Sequence, residues 1–280
     1  MRDSWSRRSL LRLASVALPF GGIGFRSTLA EKDGLSDRIL VTDLFPTQPP
    51  ELTREMVTVS HFNLNRVREL VEAQPSLART SWDWGFGDWE SALGAASHMG
   101  NRAIAEYLIS NGARPSLFSA AMLGQLDVVK AMVSANPHAE RIRGPHGISL
   151  LSHAKMGGDA ARPVFEFLQT LGDADTDTIV PLSDSDIAMW PGSYVFGLSA
   201  NQRIDVTVER REGVSSMYSP LTWTRKGTMG RPLVHVGDRA FYPAGVPSVR
   251  IQFAVEGTSV TMTVRDPEVV LVAQREQKQE

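Results

Sequence analysis

The chain has 280 residues, 42% of them hydrophobic and 21% charged, and its 29 basic and 31 acidic side chains leave a formal net charge of −2. That length holds about two domains with ordinary cores, and the charge balance excludes a chain built for non-specific nucleic-acid binding, which needs a basic surface. The absence of cysteine excludes disulfides, thiol nucleophiles and cysteine-ligated zinc or iron–sulfur centres.

Residues 1–30 read as an export signal. Arg2, Arg7, Arg8 and Arg12 form a basic n-region, Leu10 to Phe20 is weakly apolar, and Thr28-Leu29-Ala30 offers small residues for cleavage. The apolar stretch is shorter than the ~20 residues a membrane-spanning helix needs. Ser6-Arg7-Arg8-Ser9-Leu10-Leu11-Arg12 resembles the twin-arginine export motif. That resemblance implies export in a folded state to the bacterial periplasm.

Residues 31–50 read as a linker ending in Phe45-Pro46-Thr47-Gln48-Pro49-Pro50. Its prolines oppose a helix and favour extended chain, so a helix is expected from Glu51 or Leu52. From residue 51 to 175 a two-helix unit recurs. Its turn position falls at Phe62, Gly100, Gly124 and Gly158. Val67, Leu70 and Val71 make one apolar helix face; Ile104, Tyr107, Leu108 and Ile109 make the next; Val128, Val129, Met132 and Val133 the third. Ala96, Ala120, Ala121 and Ala154 permit close helix approach.

Ser91-Ala92-Leu93-Gly94-Ala95-Ala96-Ser97-His98-Met99-Gly100, closing on Tyr107-Leu108-Ile109-Ser110-Asn111-Gly112-Ala113, resembles an ankyrin repeat. Ser91, Ala92 and Gly94 stand where that family carries threonine, proline and histidine. The 24 residues between Gly100 and Gly124 fall short of a period near 33, leaving no room for a hairpin in the third unit. The resemblance implies an all-α ankyrin-repeat solenoid that binds proteins on a concave face.

Residues 176–188 read as a second linker. From 189 to 275 the hydrophobic period becomes two, as in Ile204-Asp205-Val206-Thr207-Val208-Glu209 and Val260-Thr261-Met262-Thr263-Val264. Glycines at 197, 213, 230, 237 and 257 punctuate the run. A small antiparallel β domain of seven or eight strands is expected, barrel-like or a curved sheet, followed by a polar tail at 276–280. Gly192-Ser193-Tyr194-Val195-Phe196 resembles, weakly, the opening of small lipocalin-like domains appended to bacterial periplasmic hydrolases.

No phosphate-binding loop, dinucleotide fingerprint, nucleophile elbow or zinc-protease motif occurs. The six histidines are His61, His98, His138, His146, His153 and His235. A metal site would need them to converge with a carboxylate such as Asp88 or Glu90; their scatter reads instead as surface and capping histidines, with no metal site and no cofactor. Trp82-Asp83-Trp84-Gly85-Phe86-Gly87-Asp88-Trp89-Glu90 packs four aromatics and three carboxylates into nine residues. These suit either a structural hairpin or a contact surface for a sugar or basic peptide. The positions before the turn glycines are His98 and Met99, Met122 and Leu123, and Met156 and Gly157. In ankyrin repeats such positions face a partner, so an apolar strip is expected there.

The expected molecule is thus an α+β chain, a solenoid followed by the β domain, and not an enzyme. Its expected role is a periplasmic protein-binding scaffold contacting a partner through Trp84, Phe86, Asp88, Glu90, His98, Met99, Met122, Leu123 and Met156. The alternative is an accessory protein that holds a sugar or lipid in the β domain. Neither nucleic acid nor a membrane span after signal removal is expected, and the β domain docking on the repeat face is the intramolecular option.

Overall fold

A computed structural model describes residues 46–174, 180–199, 202–208 and 219–277 of the chain. The export-signal reading of residues 1–30, with its twin arginines, lies outside the described residues, as does most of the first linker. Pro46–Glu280 forms one compact unit, with a helical part and a barrel.

Helix α1 (Pro50–Val59) begins one residue earlier than expected, because Pro50 occupies the first helical turn, where its missing N–H costs nothing. Helix α2 (Leu64–Ala73) is capped by the Asn63 side chain. A β-hairpin follows, β1 (Ser81–Asp83) against β2 (Trp89–Ser91), with Trp82 opposite Glu90. Then come α3 (Ala92–His98), α4 (Arg102–Ser110), α5 (Leu117–Met122), α6 (Leu126–Ala135), α7 (Leu150–Met156), α8 (Arg162–Thr170) and α9 (Asp184–Met189). Ser91, Ser116 and Ser149 cap α3, α5 and α7 in turn, each accepting from the backbone N–H three residues on. Gly100, Gly124 and Gly158 follow those three helices with φ of +71°, +76° and +63°, the left-handed conformation that ends a helix most readily at glycine.

The arrangement corrects the solenoid expectation. Among the described residues there are nine short helices of six to ten residues. They do not form a linear array, in which each unit touches only its neighbours. Helix α7 packs against both α5 and α3. The shortness of the third unit explains this. With no hairpin to hold the second and fourth units apart, the Gly100 turn meets the Met156 backbone directly, and the Gly157 turn meets that of Met122. Only one true hairpin forms; the fourth unit contributes an isolated bridge, Arg143 to Ser149.

The β part is a closed eight-stranded antiparallel barrel, in order β3 (Gly192–Val195), β4 (Arg203–Val208), β5 (Leu221–Arg225), β6 (Arg231–Gly237), β7 (Ala240–Pro243), β8 (Arg250–Glu256), β9 (Ser259–Asp266) and β10 (Val269–Arg275), with β10 returning to β3. Between the barrel and curved-sheet options the chain takes the barrel, which leaves no sheet edge to protect. The period-two pattern sends Ile204 and Val206 inward, and likewise Val260, Met262 and Val264. Trp190, Tyr194, Trp223, Phe241 and Phe253 fill the interior, as side chains do in barrels of this strand number. Trp190 stacks on Phe253, with 4.9 Å between ring centroids, and the Tyr194 hydroxyl donates to the Trp190 carbonyl at 2.7 Å.

The hairpin joins the helices to the barrel. Phe86, at its tip, packs against Trp223 of the barrel core, with ring centroids 5.6 Å apart. Arg231, at the start of β6, is buried and donates to the Asp88 carboxylate at 2.8 Å, the Ala244 carbonyl at 2.9 Å and the Gly85 carbonyl at 3.3 Å. No helix among the described residues is long and apolar enough to cross a membrane.

Candidate metal centre

Asp88 and Glu90 are two residues apart on extended chain, so their side chains share a face. That face is inward: both carboxylates are buried, while Trp89 between them is exposed. Glu90 is the hub. Its Oε2 accepts from the indole N–H of Trp84 at 2.7 Å. Its Oε1 lies 2.8 Å from Nε2 of His98, at the end of α3. Nε2 of His146 and Nε2 of His61 lie 3.3 Å and 3.5 Å from Oε2. His61 comes from the turn after α1 and His146 from the loop before α7, so three distant stretches converge on the hairpin. His61, Glu90, His98 and His146 each offer one ligand atom, and those atoms lie within 4.8 Å of one another.

Each ring is oriented from behind. Nδ1 of His146 lies 2.9 Å from Oδ2 of Asp88, and the His146 backbone N–H donates to Oδ1 at 3.0 Å. Asp88 therefore holds both ends of a residue whose own backbone is strained. His146 has φ of 59°, the left-handed region, which costs a non-glycine residue of order 1–3 kcal/mol. Nδ1 of His61 faces the carbonyls of Val57 and Thr58, at 3.0 Å each, and the Asn101 side chain donates to the His61 carbonyl. Outer partners of this kind fix the tautomer and aim the other ring nitrogen of metal-ligating histidines.

The electrostatics divide the rings into two kinds. Burial opposes charge on His146, but its hydrogen bonds to Asp88 and Glu90 prevail and push it up to about 9. Burial alone would raise the Glu90 carboxyl; hydrogen bonds from His146 and His98 overcome this and hold it well below the usual carboxylate range. Asp88 is held low in the same way, by His146 and then Arg231. His61 is pushed down by burial, against the pull of Glu90, and burial drives His153 down to about 4. At neutral pH His61 is a neutral ring. Its Nδ1 must donate, because only carbonyl oxygens face it. Its Nε2 then presents a lone pair toward a carboxylate oxygen, and two acceptors face each other at 3.5 Å.

The residues expected to touch a partner are distributed differently. Trp84, Phe86, Asp88 and Glu90 are turned into the hairpin's junction with the helices and barrel, and His98 into the cluster just described. Met122 is fully buried and Leu123 half-buried against the helical core. Met99 and Met156 remain exposed, on neighbouring turns. They do not form a continuous strip with Met122. The histidines read as scattered instead converge, with His138 and His235 apart from the group. His138, Glu140 and Asp173 also bring ligand atoms within 4.8 Å, but the His138 side chain is 75% exposed and nothing surrounds it as Glu90 is surrounded.

The sequence signal for the centre was the Asp88/Glu90 pair at strand spacing inside an aromatic hairpin, with His98 eight residues on. Nothing local marks His61, whose role depends on the α1 turn meeting α3. No family model, curated protein or solved structure matches this chain.

Proposed function

We propose that the protein binds one divalent d-block cation through His61, Glu90, His98 and His146. The observation that carries this is the lone pair of His61 facing the buried Glu90 carboxylate with nothing to donate between them; a cation at the centre of the four groups satisfies both. The spacing agrees. Zinc holds imidazole nitrogen and carboxylate oxygen at about 2.0–2.2 Å, so neighbouring ligands of a tetrahedral ion lie about 3.3–3.5 Å apart. The gaps from Glu90 Oε2 to His146 and His61 are 3.3 Å and 3.5 Å. Three imidazoles with one carboxylate suit zinc, cobalt, iron, nickel or copper; calcium and magnesium prefer all-oxygen shells.

The test is reconstitution. Chelator-treated protein is titrated with zinc and cobalt by calorimetry, with native mass spectrometry for stoichiometry. One ion per chain is expected, and His61→Gln or His98→Ala should weaken binding by at least about tenfold. His61→Gln is the more decisive variant, since it retains bulk and polarity. Absence of saturable binding, or equal binding by both variants and the parent, would overturn the proposal.

A further inference from the structure

His153 stands beside this cluster without belonging to it. It is fully buried on α7. Its ring meets His98 edge-on, with centroids 6.4 Å apart. Phe118 covers another side at 4.8 Å. Gly144 presses on its Cε1 so closely that a Cβ there would sit only 3.1 Å away, so the ring has little room to turn. Nδ1 lies 2.8 Å from the Ser149 carbonyl, an acceptor, so Nδ1 carries the hydrogen and Nε2 carries a lone pair. Among the described residues, Nε2 is buried with no hydrogen-bond partner.

A buried acceptor left unsatisfied costs about 1–3 kcal/mol, and such atoms call for a specific explanation. Replacing this ring by an apolar one would remove the cost, since Phe118 already lines one side. The need is for a donor on the side of the cluster, and no protein donor is in place. Resting on the metal-centre reading, we propose that the bound ion carries an exogenous oxygen ligand, a water molecule, whose O–H donates to Nε2 of His153.

This makes the centre open, with four protein ligands and one exchangeable one, and makes His153 the positioning residue for the exchangeable ligand. A route for exchange exists, since the His61 and His146 side chains are 19% and 18% exposed while Glu90 is sealed. Small anions that coordinate through an atom bearing no hydrogen compete with the water but cannot donate to His153.

The experiment uses the full chain loaded with cobalt, whose visible absorption reports coordination number, and azide as the probe. With the parent protein, azide is expected to shift the cobalt bands, showing an exchangeable position. His153→Phe should bind cobalt within about threefold of the parent, yet bind azide about tenfold more tightly, the equivalent of one hydrogen bond that no longer favours water. His153→Gln, which restores an acceptor, should return azide affinity to within about threefold of the parent. A cobalt spectrum unmoved by azide, or azide affinity unchanged or weaker in His153→Phe, would overturn the inference while leaving the ion site standing. Failure of the parent protein to bind cobalt would overturn the centre and this inference together.

Discussion

Asp88 shows how much can rest on one side chain. Its carboxylate takes the His146 backbone N–H and Nδ1 on one side and the Arg231 guanidinium on the other. Asp88 and Arg231 are both almost wholly buried, with side-chain exposures of 4% and 3%. Removing one member of a buried ion pair leaves the other uncompensated, at about 3–5 kcal/mol. Arg231→Met should therefore lower stability by that order in urea unfolding. It should also weaken metal binding by about tenfold or more, because Asp88 is the outer partner that aims His146, and His146 lies 85 residues before Arg231. A loss of stability with unchanged metal affinity would show that Asp88 orients His146 without help from the barrel. At this scale the sequence was legible in kind and not in place. Asp88, Glu90, His98, His146 and His153 all drew notice as titratable groups. Their meeting depends on the loop before α7 folding back onto a hairpin nearly sixty residues earlier, and no local period reports such a contact. The hairpin aromatics were misplaced for the same reason. Phe86 reads as an exposed contact until a barrel is present to receive it.

The short helices rely on glycines of two kinds. Gly112 has φ of +89° and open space around its absent Cβ, whereas Gly157 has an ordinary helical φ of −71° and stands against the Met122 carbonyl and the Ala161 side chain. Gly112→Ala should thus cost about 1 kcal/mol from backbone strain alone. Gly157→Ala should cost more, about 1–3 kcal/mol, because the α5–α7 contact must open to admit a methyl group. Paired urea titrations would decide it; equal costs would mean that the close approach at Gly157 relaxes freely. The turn glycines and the serine caps were readable, since Ser91, Ser116 and Ser149 precede apolar runs and Gly100, Gly124 and Gly158 follow them. What they could not report was the stacking order. Each unit exposes an apolar face that any neighbour can cover. The shortened third unit decides that α7 covers part of α3. In the barrel the reverse holds: alternation in β4 and β9 showed which residues face inward, and closure of β10 onto β3 is the one long-range pairing that a period of two cannot announce.

At the scale of the whole molecule the cluster links stability to pH, and the sign depends on whether an ion is present. In the metal-free protein His146 is raised to about 9 from its usual 6.5 by Asp88 and Glu90, in spite of burial. A raised histidine contributes stability that is complete below 6.5 and is lost as pH climbs through 9. His153 works oppositely. Burial lowers it to about 4, so the unfolded chain binds the extra proton between 4 and 6.5, and stability falls as pH drops through that window. Glu90, held low, adds to the acid-side loss below its usual 4.5. Metal-free stability should therefore peak near pH 6.5 and decline on both sides. A bound ion changes the alkaline side. It replaces the proton on His146 Nε2, and because the ligands must be deprotonated, rising pH then favours binding rather than opposing it. Zinc-saturated protein should show a flat or rising profile from pH 6.5 to 9 where the metal-free protein falls, with the gap between the two widening as the free ion competes only with the folded state. Thermal melts across that range, with and without excess zinc, measure both curves. Parallel curves would mean that zinc stabilises the fold from somewhere other than the ring between Asp88 and Glu90.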